Sequence, residues 1–530
     1  MADNVLTAER PVHAVPLEEK VGQLFVAGFD GVEPTDDIEQ LVSSHHLGGI
    51  IYFSRNIESP SQVASLSERL QTIAREAGEP PLLIATDQEG GVVSRFDWGA
   101  QLPSQMALGA TQDPTRLRSA GETVGEELAS LGISMNFAPV LDVNNNPENP
   151  VIGVRSFGDD PEAVGELGSA LASGFQSAGV IACGKHFPGH GDTETDSHRS
   201  LPVIPHDKDR LEAVEFVPFR RAIDDGIDAL MTTHIAFPAI TGDDTLPATL
   251  SKEVLTGLLR EEFEFDGLLV SDCLEMNAIA ETVGTAEGAV QAIAAGCDVV
   301  LVSHSPERQR EAIERVIDAV ESGEIPEARV DSAFERVREY KHRQFTEERE
   351  KPQTWTETVE QSREVARQLA REGATVVRDR DDTLPFDTSA PIHLVGFTGD
   401  AQSDAEDDRY DPNDFRTSLA RNETKVYHHE VTDTHGYEHP FDGGEQVVVA
   451  TYHARSNPGQ ARVVREIADA ATRLAVVSVR DPYDLAAVPD ASTYVTGYGY
   501  SPAMLDALAD VVVGKAGGDG TLPVTIPGVE

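Results

Sequence analysis

The sequence predicts an α/β chain, with an N-terminal (β/α)8 TIM-type barrel followed by a C-terminal α/β sandwich domain. Three observations carry this expectation. The 530 residues exceed what one compact core holds, so two domains are expected. Eight short apolar runs alternate with amphipathic segments through roughly the first 320 residues, the pattern of repeated β-α units. Polar, chemically useful residues stand at the C-terminal ends of those runs: Asp87, Asp142, Lys185 with His186, His234, Asp272 and His304. Barrels gather their active sites on that face, whereas an open doubly wound sheet collects ligands mainly at one switch point.

The eight strand candidates are LFVAGF from Leu24, GGIIYF from Gly48, PLLIATD from Pro81, ISMNFAPVLDV from Ile133, VIACGKHF from Val180, ALMTTHI from Ala229, GLLVSD from Gly267 and CDVVLVSH from Cys297. Segments of helical period lie between them, including residues 61–77, 161–178 and 252–263. Pro114, Pro161 and Pro306 stand where first helical turns begin. The catalytic barrel is assigned to residues 1–342. Residues 343–373 are a linker and connecting helix, the helix spanning about 359–372, and the charged stretch EYKHRQFTEEREKPQTWTET reads as linker. The sandwich domain takes residues 374–530, with strands at ATVVRD, IHLVGF, KVYHHE, QVVVATY, LAVVSVR, STYVTGY and LPVTIP, and helices near 459–473 and 502–513. Residues 399–414 read as an acidic, mobile loop.

The charge balance is extreme, with 91 acidic residues against 42 basic ones and a formal net charge of −49. Such a field repels nucleic acid and anionic membranes, so neither is expected as a partner. Only eight of the cations are Lys. An acid-rich, Lys-poor surface suits a cytoplasm with molar salt, where carboxylate repulsion is screened within about 3 Å. The acids are spread along the whole chain, which argues for solvent adaptation over a binding patch. No run approaches the roughly 20 apolar residues of a membrane span. The opening MADNVLTAERPVHAVP lacks the basic and apolar regions of a signal peptide, so a cytoplasmic location is expected. Cys183, Cys273 and Cys297 are too few for a disulfide framework, and no CxxC occurs to suggest structural zinc.

The densest chemistry lies in GKHFPGHGDTETDSHRS, residues 184–200. Lys185 and His186 end an apolar strand and can donate hydrogen bonds to substrate hydroxyls. Asp196 stands two residues before His198, close enough to orient the imidazole and stabilise its protonated form as a general acid. A metal site on His186, His190, Asp192 and His198 is the alternative, although Pro188 and the flanking glycines deny the helix that would align two ligands. In GLLVSDCLEM, Asp272 follows four apolar residues. A carboxylate there can attack an anomeric carbon, or it can cap the next helix, and Glu275 is a rival. In ATDQEGGVVSRF, Asp87 can accept sugar hydroxyls, and Arg95 with Arg155 can donate to ligand oxygens or form structural ion pairs.

These stretches, with VGQLFVAGF, GVRSFGDDP, MTTHIAFP and above all KHFPGHGDTETDSH, resemble the family 3 glycoside hydrolases, in their β-N-acetylglucosaminidase branch. The resemblance implies Asp272 as nucleophile, His198 as acid/base with Asp196 as its partner, and Asp87, Arg95, Arg155, Lys185 and His186 as the sugar-binding set. It implies retention of anomeric configuration, small amino-sugar glycosides or oligosaccharides as substrates, and no metal or organic cofactor. Two departures stand out. The family commonly has Arg at Val92, and often has Asp at Cys273, which here lowers the like-charge repulsion on Asp272. The second domain, through RDPYDL, GYGYSPAMLDAL and GTLPVTIPG, resembles the sandwich of longer family members and is expected to pack on the barrel, within one chain or across a homodimer. β-Glucosidase, glycoside phosphorylase, metal-dependent hydrolase and non-catalytic sugar-binding readings remain open.

Overall fold

The computed structural model describes residues 10–194, 201–346, 354–397, 406 and 411–529. Eight parallel strands close a barrel: β1 Phe25–Ala27, β2 Gly49–Tyr52, β3 Leu83–Thr86, β4 Met135–Asn136, β5 Ile181–Phe187, β6 Ala229–Thr232, β7 Leu268–Cys273 and β8 Val299–Val302. Seven lie inside one of the eight apolar runs, and β7 runs one residue past its own, to Cys273. Closure is at β1, where Val26 faces Leu301 of β8 on one side and Gly49 of β2 on the other. Helices cover the outer face and side chains fill the interior, so the strands need apolar residues on both faces and read as unbroken runs. The helices Pro114–Ser130, Pro161–Ser177 and Pro306–Glu321 start at the expected prolines, behind Asp113, Asp160 and Ser305, whose side chains accept first-turn N–H groups. The segment at 252–263 is wound wider than an α-helix: Glu253–Glu262 is closed by Phe263 N–H donating to Leu258 O, five residues back.

The second domain holds a six-stranded sheet of β9 Thr375–Asp379, β10 Ile392–Phe397, β11 Val426–Val431, β12 Gln446–Thr451, β13 Arg473–Ser478 and β14 Thr493–Thr496. The spatial order is β9-β14-β13-β12-β10-β11, with β9 antiparallel to β14 and every other pair parallel. Six of the seven expected runs are therefore strands. LPVTIP is not. Pro523 and Pro527 bring no N–H, and the neighbouring donors turn to the barrel, Thr521 N–H to Ala110 O and Thr525 N–H to Asp159 Oδ2.

The charged stretch expected as linker is largely helical where it is described. The helix Glu327–Thr346 runs into it, and the helix Trp355–Gly373 begins within it. Glu, Lys, Arg and Gln are good helix formers, so charge alone does not end a helix. Most of the loop expected at 399–414 lies outside the described residues.

Barrel and sandwich pack together within the one chain. Trp355–Gly373 lies against the barrel helices Gln105–Thr111 and Pro114–Ser130 and against Pro502–Val512 of the sandwich. Gly373 sits where a Cβ would come within 2.4 Å of Ala107 O, so only Gly permits this approach. Val92, Val93, Met106 and Ala107 join the sandwich core, and Ser104 Oγ donates to Tyr498 O at 2.7 Å.

Candidate active site

A cleft of about 520 Å³ opens at the C-terminal ends of the barrel strands. Ile51, Phe137, Met231 and Leu301 give it apolar walls. The structure brings Asp87, Arg95, Arg155, Lys185, His186 and Asp272 together around it. They come from five local devices. Asp87 follows β3, and Arg95 follows a short hairpin made by Gln88–Gly90 and Val93–Ser94. Arg155 ends the turn Gly153–Arg155, Lys185 and His186 lie in β5, and Asp272 is the penultimate residue of β7.

The charged groups form one buried network. Lys185 Nζ donates to Asp87 Oδ1 at 2.8 Å and pairs with Glu89 Oε1 at 2.7 Å. Arg155 grips Glu89 with two bonds, Nε to Oε2 at 2.9 Å and Nη2 to Oε1 at 2.8 Å. Arg95 Nη2 lies 3.5 Å from Asp87 Oδ2. Burial alone pushes the Glu89 carboxyl up, but Arg155 and Lys185 outweigh it and hold the group well below the usual carboxylate range. Burial likewise opposes the charge on Lys185, yet Asp87 and Glu89 raise its pKa. Glu89 and Lys185 are thus held in their ionised forms, and Asp87 and the cations line the cleft. Glu89 was not singled out from the sequence. A usable signal was there: two cations expected in one dry site need a buried counter-charge, and Glu89 stands inside TDQEGG.

Asp142 organises the KHFPGH turn. Its Oδ1 accepts His190 N–H at 2.7 Å and His186 N–H at 3.1 Å, and its Oδ2 lies 2.7 Å from His186 Nδ1. That fixes the imidazole of His186 and leaves Nε2 as its ring atom for a ligand. His190 is buried beside His186, which depresses its pKa to about 4, and its Nδ1 meets Thr193 Oγ1 at 3.0 Å. Gly191 is required where the loop passes Val143, since a Cβ would come within 1.7 Å of that carbonyl oxygen. Asp192 pairs with His206 Nε2 at 2.5 Å. His186, His190 and Asp192 therefore turn to three separate partners and do not converge on one metal position. Asp196 and His198 lie outside the described residues; the Asp192–His206 contact ties the chain on either side of them.

At β7, Cys273 N–H donates to Asp272 Oδ1 at 2.7 Å. His234 braces the same strand end, with Nε2 2.9 Å from Cys273 O and Nδ1 2.8 Å from Thr249 Oγ1. Glu275, the rival carboxylate, accepts His304 N–H at 2.6 Å and Ser305 N–H at 3.0 Å, so it is committed to the loop after β8. The sandwich domain also reaches the cleft, through Glu406, which pairs with the buried Arg480. The sequence reading, which gave this domain packing alone, missed that contribution.

An apolar-walled cleft at the top of a barrel, ringed by charged side chains that include a strand-end carboxylate, is the arrangement of a carbohydrate-processing barrel enzyme. Residues 16–340 match the glycosyl hydrolase family 3 N terminal domain, and the chain belongs to that family. It is a glycoside hydrolase. A glycoside hydrolase family 3 β-N-acetylglucosaminidase from Paenibacillus sp. str. FPU-7 superposes with a TM-score of 0.88 at 41% identity, covering 97% of this chain and 99% of that one. Beta-hexosaminidase A of Pseudoalteromonas piscicida is 36% identical over 328 residues, 58% of this chain and 55% of its own length. The chain thus spans about half of that relative. Beta-hexosaminidase of Alkalilimnicola ehrlichii is 40% identical over 287 residues, 53% of this chain and 80% of its own length.

Proposed function

We propose that the protein is a retaining exo-glycosidase that releases terminal non-reducing β-linked N-acetylglucosamine. Asp272 attacks the anomeric carbon and forms a covalent glycosyl ester. His198, oriented by Asp196, protonates the leaving oxygen and then takes a proton from the incoming water. Asp87 accepts sugar hydroxyls, and Arg95, Arg155, Lys185 and His186 donate to the sugar. The observation that carries the reading is the placement of Asp272 at the end of β7, across an apolar-walled cleft from the Asp87–Lys185–Glu89–Arg155 network. Its support includes the 41% identity to a β-N-acetylglucosaminidase along nearly the whole chain. A cytoplasm of molar salt is the proposed setting, on the strength of the net charge of −49. Among the described residues no helix is long and apolar enough to cross a membrane.

The test is hydrolysis of para-nitrophenyl β-GlcNAc and β-glucoside in molar KCl, with and without phosphate, wild type beside Asp272→Asn. We expect a preference for GlcNAc that is independent of phosphate, and a loss of about 10⁴-fold or more in kcat for Asp272→Asn. Phosphate dependence would convert the assignment to a phosphorylase. A glucoside preference would overturn the substrate, and full activity in Asp272→Asn would overturn the nucleophile.

A further inference from the structure

We propose that Cys273, Glu275 and His304 form a site for a thiophilic divalent cation such as Zn²⁺ on the wall of the cleft, and that the bound cation excludes sugar. The sulfur, one carboxylate oxygen and one imidazole nitrogen lie within 4.8 Å of one another, and all three residues line the cleft. A small closure brings this S, O, N set to the spacing of three tetrahedral ligands, with the fourth position left for solvent. The scaffold is tied in place. Cys273 ends β7, and Glu275 holds the loop of His304 by accepting the His304 and Ser305 N–H groups. The His304 ring stacks on Phe53 with centroids 5.5 Å apart. Burial and the nearby Arg55 guanidinium lower the His304 pKa, so the imidazole is neutral and offers a lone pair.

Binding replaces the thiol proton: Cys273–SH and M²⁺ give Cys273–S–M⁺ and a free H⁺. Because that proton must leave, affinity climbs with pH through the neutral range. Of the other charged groups near the site, Asp272 favours the cation. Arg55 opposes it, and is itself paired with Asp30 at 2.8 Å. Asp272 and Cys273 both line the cleft, so a cation on this sulfur shares that space with the proposed nucleophile. The exclusion of sugar rests on the proposed function; the cation site itself does not.

The experiment uses the full chain in molar KCl at pH 8, stripped with EDTA and titrated with Co²⁺. We expect one Co²⁺ per chain, a near-ultraviolet thiolate-to-cobalt band and intense visible bands of tetrahedral form, all displaced by Zn²⁺. Cys273→Ser should lose the thiolate band, and His304→Gln should bind at least tenfold more weakly. Cys183 and Cys297 are buried, so they do not supply the band. In turnover, Zn²⁺ should raise KM without lowering kcat, and His304→Gln should need at least tenfold more Zn²⁺ for the same rise. Absence of the band in folded wild type, its persistence in Cys273→Ser, or equal Zn²⁺ sensitivity in His304→Gln overturns the proposal. Cobalt binding in a protein inactive on every glycoside would sink the proposed function and leave the cation site standing.

Discussion

Glu89 shows how one buried counter-charge holds the cations of the cleft in place. Its carboxylate is the shared partner of Arg155 and Lys185. Removing it takes the carboxylate from the buried Arg155 and leaves Lys185 with Asp87 alone, and breaking such a buried pair costs about 3–5 kcal/mol. We expect Glu89→Gln to unfold at markedly lower temperature and to raise KM by tenfold or more, because Lys185 and Arg155 no longer hold their positions. The pH dependence follows from the depressed pKa of Glu89. Its contribution is complete above the unfolded carboxylate pKa near ~4.3 and fades as pH falls toward the folded value, so wild type and variant should converge in strongly acidic solution. Thermal melts from pH 3 to 8 check this. A constant gap between the two proteins across that range would refute the charge argument. Asp87, Lys185, His186 and Asp272 were legible in the sequence because each ends an apolar strand, a local signal. Glu89 was not, since its role depends on Arg155, 66 positions away along the chain.

At the scale of elements, the barrel strands were legible for a related reason. A strand buried on both faces must be an unbroken apolar run, and eight such runs announce themselves. The ends of elements were less legible. The helix Glu327–Thr346 outran its expected boundary because nothing in its charged tail opposes helix, and LPVTIP imitates a strand although its neighbours bond to the barrel. The helix Pro114–Ser130 carries a carboxylate whose environment no periodicity reveals. Glu127 is buried, accepts Ala100 N–H at 2.8 Å and meets Ser362 of the helix that joins the domains. Burial raises its pKa to about 7. The folded protein therefore holds a proton that the unfolded chain releases from about pH 4.3 upward, and stability falls as pH rises through that window. Glu127→Gln copies the protonated form. The variant should match wild type near pH 4 and exceed it increasingly up to pH 7.5, by roughly 3–4 kcal/mol, with no further gain above. Denaturant melts at several pH values measure the gap. A gap that does not change with pH would mean that Glu127 is ionised in the fold.

At the scale of the whole molecule, the surplus of carboxylates sets the solvent that the fold requires. Most cations described here already have an acidic partner, so the excess of 49 negative charges has no protein counter-ion. The helix Pro306–Glu321 makes this concrete. Glu307, Glu311, Glu314, Asp318 and Glu321 are exposed and follow each other at spacings of four, three, four and three, which places them on one face; Arg310 lies 3.7 Å from Glu307 and His45 3.8 Å from Glu314, which offsets only part of the stripe. Like charges at these spacings repel by about 0.2–0.5 kcal/mol per pair in low salt. The Debye length falls from about 10 Å at 0.1 M to about 3 Å at 1 M salt, shorter than the roughly 5–6 Å between such neighbours. Molar salt should therefore silence the stripe. We expect the triple variant Glu311→Gln, Glu314→Gln, Asp318→Asn to melt several degrees above wild type in 0.1 M KCl, and the difference to vanish in 2 M KCl. The comparison isolates charge from the general tightening that concentrated salts exert on apolar cores, since both proteins share the same core. If the triple variant kept its advantage in 2 M KCl, the gain would come from helix propensity or packing. The acidity would then have to be explained by hydration of the surface and not by screening.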